Sequence, residues 1–379
     1  MSDFDALLDK LTSEERLCHP FVVPDKRSLA DDLRNRLSVY ENLIGKATNS
    51  EQKGLHLLKK RLNKLGEING LLSEAIEKYL LGDLALSYRN IDKVLKEDIV
   101  KKSFKVLTKT VHKHCLDSYP LFRVRVSDTH IGERPDIFHV PFELRHSVSM
   151  QRYSVNGLPS LYLSRSLYAC WQEVGRPELD KLYVSRLQVN SDAIDDFDVL
   201  NLAFSLELIA NNKKKNSLFD ESPTNEEMLS YLTIFPLVLA CSYTRKNSFA
   251  EFNEEYIVPN LMLQWIVKNS DKTHGIAYFS TKTKQLRHSE YGISFVFPPI
   301  VDTVKVEGFC PILSNRFLLT KPVSWQIIDS LPCEENSSEG STHKSFAIDD
   351  IEEAFLANYK ATKFYRAEKI LQQFPTDKI

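Results

Sequence analysis

The residues whose types and spacing could do chemistry concentrate between Arg152 and Glu173. Arg152-Tyr153-Ser154 enters the turn Gly157-Leu158-Pro159, which leads into Leu161-Tyr162-Leu163-Ser164 and then Trp171-Gln172-Glu173-Val174. The pattern predicts an arginine loop, a tight turn, a short apolar strand and a helix presenting one carboxylate. A fixed cation, an aromatic hydroxyl and a carboxylate suit a substrate with both phosphate and an N-glycosidic bond, and a nicotinamide dinucleotide has both.

The elements around this stretch change character along the chain. Residues 1–115 read as a bundle of about four helices, with apolar stripes at three-to-four spacing. The stripes run over Leu29, Leu33, Leu37 and Leu43, then Leu55, Leu58, Leu62, Leu65, Leu72, Ile76 and Leu80, then Leu84, Tyr88, Ile91, Leu95 and Ile99. Gly45 and Gly82 are the expected breaks. From Tyr119-Pro120 onward, alternation predicts strands over 121–126 and 183–189, with further strands over 274–280, 294–297 and 303–306. Helices are expected over 199–209, 229–243, 256–267 and 348–374, with polar loops over 211–227 and 333–344. The fold class is therefore α+β: a helical domain over 1–115, a catalytic domain over 116–332, and a loop with a C-terminal helix over 333–379.

Bulk composition narrows the function classes. The chain has 379 residues, 42% hydrophobic and 26% charged, which is ordinary globular usage. A net charge of -2 gives no global pull toward nucleic acid or anionic lipid. Residues 53–113 hold 14 Lys/Arg against 7 Asp/Glu, which reads first as solvated helix faces and second as a docking surface. The six cysteines are scattered without a C-x-x-C pair, which predicts reduced thiols and a cytoplasmic location. No apolar run approaches the roughly 20 residues of a membrane helix, and Met1-Ser2-Asp3-Phe4-Asp5 lacks signal-peptide character.

Five pieces of the chain, in order over residues 121–300, resemble the RES domain family. They are Leu121-Phe122-Arg123; Arg152-Tyr153-Ser154 with Gly157, Pro159 and Leu161-Tyr162-Leu163; Glu173; Glu255-Tyr256-Ile257-Val258-Pro259; and Gly275-Ile276 with Tyr278 and Ser280. Gln151 stands where the family often has glycine, and Ser154 where it often has asparagine. The resemblance implies an ADP-ribosyltransferase-like split β core around an NAD cleft. It also implies a toxin or phage-defence effector that cleaves the nicotinamide–ribose bond by hydrolysis or phosphorolysis. On that reading Glu173 orients a ribose hydroxyl and stabilises an oxocarbenium-like transition state. Arg123 and Arg152 grip the pyrophosphate, for which arginine's fork is better suited than lysine. Tyr162 stacks on nicotinamide or donates to the ribose, Ser280 hydrogen-bonds the ribose or a phosphate oxygen, and Tyr153 lies in the NAD-binding loop. Inorganic phosphate enters as co-substrate if the reaction is phosphorolysis. Control by an antitoxin or trigger protein is expected, acting near the site, on the N-terminal helices or through the 333–344 loop.

Each residue also has a bland reading: Arg123 as an exposed strand residue, Tyr162 as a core aromatic, Glu173 as a helix-surface acid, Ser280 as a strand-end cap, Arg152 as a loop salt bridge. Arg125 rivals Arg123, because alternation puts both on one face. Two other functions stay open: ADP-ribosyl transfer to a protein, and a non-enzymatic module binding a partner or nucleic acid. Nucleic acid and membrane are disfavoured partners, and a homo-oligomer is compatible with the sequence. No metal is expected, since neither His112/His114 nor Cys18-His19 has zinc-ligand spacing. There is no phosphate-binding G-x-x-x-x-G-K loop, no G-x-G-x-x-G and no G-x-S-x-G. The Arg-then-His spacing of HEPN ribonucleases is missing from the helical front.

Overall fold

The computed structural model describes residues 3–47, 53–114, 120–193, 197–203, 206, 224–247, 250–269, 273–282, 289–303, 306–332 and 359–379. The front of the chain forms helices α1 (Asp3–Thr12), α2 (Leu29–Ala47), α3 (Lys53–Lys60), α4 (Leu62–Leu80), α5 (Leu84–Lys96) and α6 (Asp98–Leu107). Strand β1 (Thr108–Thr110) and the single turn α7 (Val111–His114) follow. The predicted stripes are largely buried: Leu29, Leu33, Leu37, Leu58, Leu65, Leu72, Ile76, Ile91 and Leu95 all lie in the core. Their ends are not. Leu80 and Leu84 flank the Leu81-Gly82 turn and stay exposed, where Asp83 caps α5 by accepting the Leu86 N–H at 3.0 Å. Gly45 is no break, because α2 continues through it to Ala47.

The rest is a mixed α/β assembly. The remaining strands are β2 (Leu121–Val126), β3 (Leu161–Ser164), β4 (Leu182–Val189), β5 (Asp198–Asn201), β6 (Thr273–Phe279), β7 (Ile293–Phe297), β8 (Phe317–Leu319) and β9 (Val323–Ser324). Among the described residues the nine strands form one sheet in the order β1-β5-β6-β7-β3-β2-β4-β8, with β9 also on β4. Only the β5–β6 pair is parallel. The predicted helix over 199–209 is replaced at its start by β5. Val199 and Leu200 are both fully buried and pack into different clusters, so the stretch has no polar side and its periodicity looks helical. The rest of that stretch, apart from Leu202, Ala203 and Leu206, lies outside the described residues, as do 304–305, 211–223 and 333–358. Asn225 to Glu227 are not loop but the first turn of the next helix, opened by a Thr224/Glu227 capping box. The C-terminal helix is shorter than expected: a turn over Tyr359–Ala361 precedes it, and Thr362 caps it by accepting the Tyr365 N–H.

Between β5 and β6 come α10 (Asn225–Ala240) and α11 (Ile257–Asn269). Every residue of α10 from Met228 to Ala240 is buried, as expected of a helix apolar all round. It packs against α2, α3, α4 and α6, so one apolar core runs from the N-terminal helices into the middle of the chain. That core reaches the sheet at Ile276, Tyr278 and Val296. Their neighbours Ala277, Phe279, Phe295 and Phe297 fill the opposite face, following the two-residue period of a strand. Gly275 permits this packing, since a Cβ there would stand 2.6 Å from the Phe297 ring. Past the sheet lie α8 (Arg134–Ile137), α9 (Leu167–Glu173), α12 (Pro311–Arg316), α13 (Trp325–Ser330) and α14 (Lys363–Gln372). Helices α9, α13 and α14 share a third cluster with Phe122, Val124, Leu182 and Val184.

Pro236 sits inside α10 and supplies no N–H to the carbonyl one turn earlier. The Tyr40 hydroxyl donates to that Leu232 carbonyl from α2. Tyr40→Phe should therefore leave a buried acceptor unpaired and cost about 1–3 kcal/mol in urea denaturation. Pro236→Ala in the same background should recover much of the loss, because the new N–H faces the orphaned carbonyl.

Candidate functional site

Glu173 is the last residue of α9, and its carboxylate is held from two sides. Ser280 Oγ donates to Oε1 at 2.5 Å, and Lys282 Nζ lies 3.4 Å from Oε2 while donating to the Glu173 carbonyl at 2.5 Å. Ser280 follows directly on β6, is 2% exposed, and is fixed by its N–H to Gly292 O at 3.0 Å. A carboxylate at a helix C-terminus faces the negative pole of the helix. Lys282 offsets this by meeting both the carboxylate and the last-turn carbonyl. Burial lowers the Lys282 pKa, with the neighbouring Glu173 opposing that shift.

The chain then turns sharply. Gly175 and Arg176 have φ of 91° and 57°, and their N–H groups return to Gln172 O and Trp171 O. Glycine tolerates this conformation, whereas arginine adopts it under strain. The turn forms one wall of a cleft of about 290 Å³ whose lining includes Arg176, Thr244, Arg245, Tyr256, Thr281 and Lys282. Glu173 lies between two further lining residues, Gln172 and Gly175. Among the described residues neither Arg176 nor Arg245 is ion-paired; the Arg176 Nε donates to Gln172 Oε1 at 2.6 Å. The cleft thus presents the guanidinium groups of Arg176 and Arg245 beside a carboxylate–hydroxyl pair, an arrangement that can bind a phosphorylated ligand and act on an adjoining electrophilic carbon. Among the described residues no group of three His, Cys, Asp or Glu side chains converges to hold a metal. Burial pushes the Cys170 and Cys241 thiols up to about 12, which makes them inert.

Arg152 stands behind the cleft rather than in it. It is 6% exposed, donates to the Cys241 and Tyr243 carbonyls and to Thr281 Oγ1 at 3.0 Å, and covers the Tyr256 ring at 4.9 Å. Its partners are two carbonyls and a hydroxyl, not the carboxylate of a loop salt bridge. Tyr153 is buried with φ of 56° and packs on Tyr278, and its carbonyl accepts the Tyr162 hydroxyl at 3.1 Å. Burial raises the Tyr162 pKa.

Arg123 is spent elsewhere. Strands β2 and β3 share a single residue pair, Phe122 with Ser164, so the sheet is nearly open there. The Arg123 guanidinium closes the seam by donating to Tyr162 O at 2.8 Å, Ile137 O at 2.5 Å and Phe138 O at 3.1 Å. Burial lowers its pKa to about 10. Arg125 donates to Asp136 O, so both candidates from this strand serve backbone carbonyls. The structure therefore brings Glu173 and Ser280 into contact and places Arg152, Tyr153 and Tyr162 behind the cleft wall. None of Arg123, Tyr162, Glu173 and Ser280 is among the cleft-lining residues, but Glu173 and Ser280 directly follow or precede one, Gln172 and Thr281, whereas Arg123 and Tyr162 do not. Sequence reading missed Arg176, Arg245 and Lys282. Lys282 stands two residues past Ser280 and Arg176 stands three past Glu173, directly after Gly175, which were usable signals; Arg245 had none.

Helix α9 is anchored at its other end. Ser166 Oγ accepts the Ala169 N–H at 3.0 Å and donates to Tyr291 O at 2.6 Å, and the Leu167 N–H donates to Glu368 Oε1 at 2.7 Å. Glu368, on α14, also accepts the Tyr359 hydroxyl at 2.5 Å. Burial pushes its carboxyl up to about 8; those two hydrogen bonds and Lys369 oppose the shift, and buried Cys170 feels its charge.

Three outcomes follow. Arg176→Ala and Arg245→Ala should each weaken binding of inorganic pyrophosphate about tenfold by calorimetry while leaving stability within about 0.5 kcal/mol. Arg152→Ala should lower the unfolding free energy by about 3 kcal/mol, because buried carbonyls lose their donor. Between about 4.5 and about 8 the folded chain keeps a Glu368 proton that the unfolded chain has released. Stability should thus fall as pH rises through that window and level off above it. Melting curves from pH 5 to 9 should show Glu368→Gln with a shallower fall than the parent.

With this geometry in hand, comparison with known proteins finds a distant relative. The chain is 28% identical over 318 residues to the protein named "Putative toxin YopC" from Bacillus subtilis (strain 168), across 79% of this chain and 70% of that protein. No protein-family profile and no solved structure matches the chain.

Proposed function

We propose that the chain is an NAD-consuming enzyme that cleaves the nicotinamide–ribose bond and acts as a toxin or phage-defence effector on the cytoplasmic NAD pool. The observation that carries this reading is the Glu173–Ser280 pair at the edge of a cleft lined by Arg176, Arg245 and Lys282. The three cations suit a pyrophosphate, and Tyr256, whose ring Arg152 covers from behind, adds an aromatic to the cleft lining. Ser280 fixes one carboxylate oxygen of Glu173; the other, 3.4 Å from Lys282 Nζ, is the oxygen that orients a ribose hydroxyl and stabilises positive charge at C1′. The C1′–N bond breaks with its electron pair leaving on nicotinamide. A new C1′–O bond forms to water, which gives up a proton, or to an oxygen of inorganic phosphate. The near-open seam between β2 and β3 supports an ADP-ribosyltransferase-like split core of the RES kind, and the name of the Bacillus relative supports a toxin role.

The test is product analysis. Purified protein incubated with NAD should release free nicotinamide, and repeating the reaction with phosphate should separate hydrolysis from phosphorolysis by the ribosyl product. Glu173→Ala should lower kcat/KM by about 10²-fold or more. Intact NAD after long incubation would sink the proposal, and label from NAD appearing on a macromolecule would replace it with ADP-ribosyl transfer.

A further inference from the structure

Both halves of the Glu173–Ser280 pair trace back to one buried cluster that takes no part in the cleft. Glu173 ends α9, and the first turn of that helix is held by Ser166 and by the Leu167 N–H on Glu368. Ser280 is held through its N–H on Gly292 O, one residue past Tyr291. Tyr291 accepts the Ser166 hydroxyl through its carbonyl, and its ring lies 4.3 Å from the Tyr359 ring. Tyr359, 1% exposed, donates to the same Glu368 oxygen that accepts Leu167. One carboxyl oxygen and one phenol from the C-terminal segment thereby tie the start of α9 to the strand entry that anchors Ser280.

We infer that Glu368 and Tyr359 are positioning residues, which set the distance between Glu173 and Ser280 by clamping α9 against the Tyr291–Gly292 turn. The inference rests on the proposed reaction for its effect on turnover, but the clamp itself is open to measurement without any substrate. α9 has only seven residues, so a change at its first turn reaches its last over a short rigid path. The cations that line the cleft come from other segments, apart from Arg176, and ligand binding is left largely intact when the clamp is loosened.

The experiment uses the full chain with three substitutions. Tyr359→Phe keeps the ring packing and removes the donor; Glu368→Ala removes the acceptor; Glu368→Gln keeps an oxygen for both donors. Tyr359→Phe and Glu368→Ala should lower kcat for nicotinamide release roughly 10- to 100-fold, since small misplacements of reacting groups cost that much. KM should stay within about twofold, and Glu368→Gln should stay within about threefold of the parent in kcat. Amide hydrogen exchange over residues 167–175 should quicken in the first two variants and not in the third. Unchanged exchange in Tyr359→Phe, or a raised KM at unchanged kcat, overturns the inference. Should Glu368→Ala fail to fold, Tyr359→Phe decides alone. Should the parent leave NAD intact, the functional reading falls and the exchange measurement still judges the clamp.

Discussion

Buried carbonyls outside a regular ladder must find donors, and this chain meets that demand with long side chains sent from distant segments. Arg123 serves one carbonyl across the β2–β3 seam and two at the end of α8, Arg125 one more on α8, Arg152 two just past α10, and Tyr40 the one that Pro236 leaves bare. Arg186 and Arg366 do the same for Phe374 and Leu331. A sheet with a near-open seam and a proline inside its most buried helix holds its shape only because these donors arrive. Arginine suits the task, since its fork reaches several acceptors and keeps its charge when partly desolvated.

That demand explains why a guanidinium in this protein is a poor guide to a ligand site. Arg123 and Arg152 were the natural candidates for phosphate recognition, yet their nitrogens are committed to the main chain. The cations that face the cleft are Arg176, on a left-handed turn, and Arg245 and Lys282, on segments that follow buried elements. Arginines inside the fold build the walls, and those at loop ends supply the charge. The Glu173–Ser280 contact joins the two classes: Glu173 ends α9, Ser280 follows directly on β6, and each is the chain neighbour of a cleft-lining residue, Gln172 or Thr281.

The helical stripes, the alternating strands at 121–126 and 183–189, and the buried character of α10 were legible, because each follows a period set by one face in contact with a core. The start of the predicted 199–209 helix was misread because β5 is apolar on both faces and so has no polar side to mark its period. Glu173 and Ser280 were legible as candidates through their order along the chain. The commitment of Arg123 was not, since nothing local in Phe122-Arg123-Val124 says that the neighbouring strand pairs at one position only. Arg245 was invisible for a related reason: its place depends on where α10 ends in space, not on the residues around it.

Thr244, a wall residue of the cleft, receives its backbone partner from Phe21: Thr244 N–H donates to Phe21 O at 2.7 Å, and Phe21 N–H to Ser242 O at 3.1 Å. The Phe21 ring packs tilted against Tyr243, whose hydroxyl donates to Asp32 at 2.9 Å. A truncated chain beginning after the helical front would expose the apolar flank of α10 and strip this edge pairing from residues 242–244. The helical front thus shares its core with the rest of this chain, and a minimal version of the molecule has to keep it.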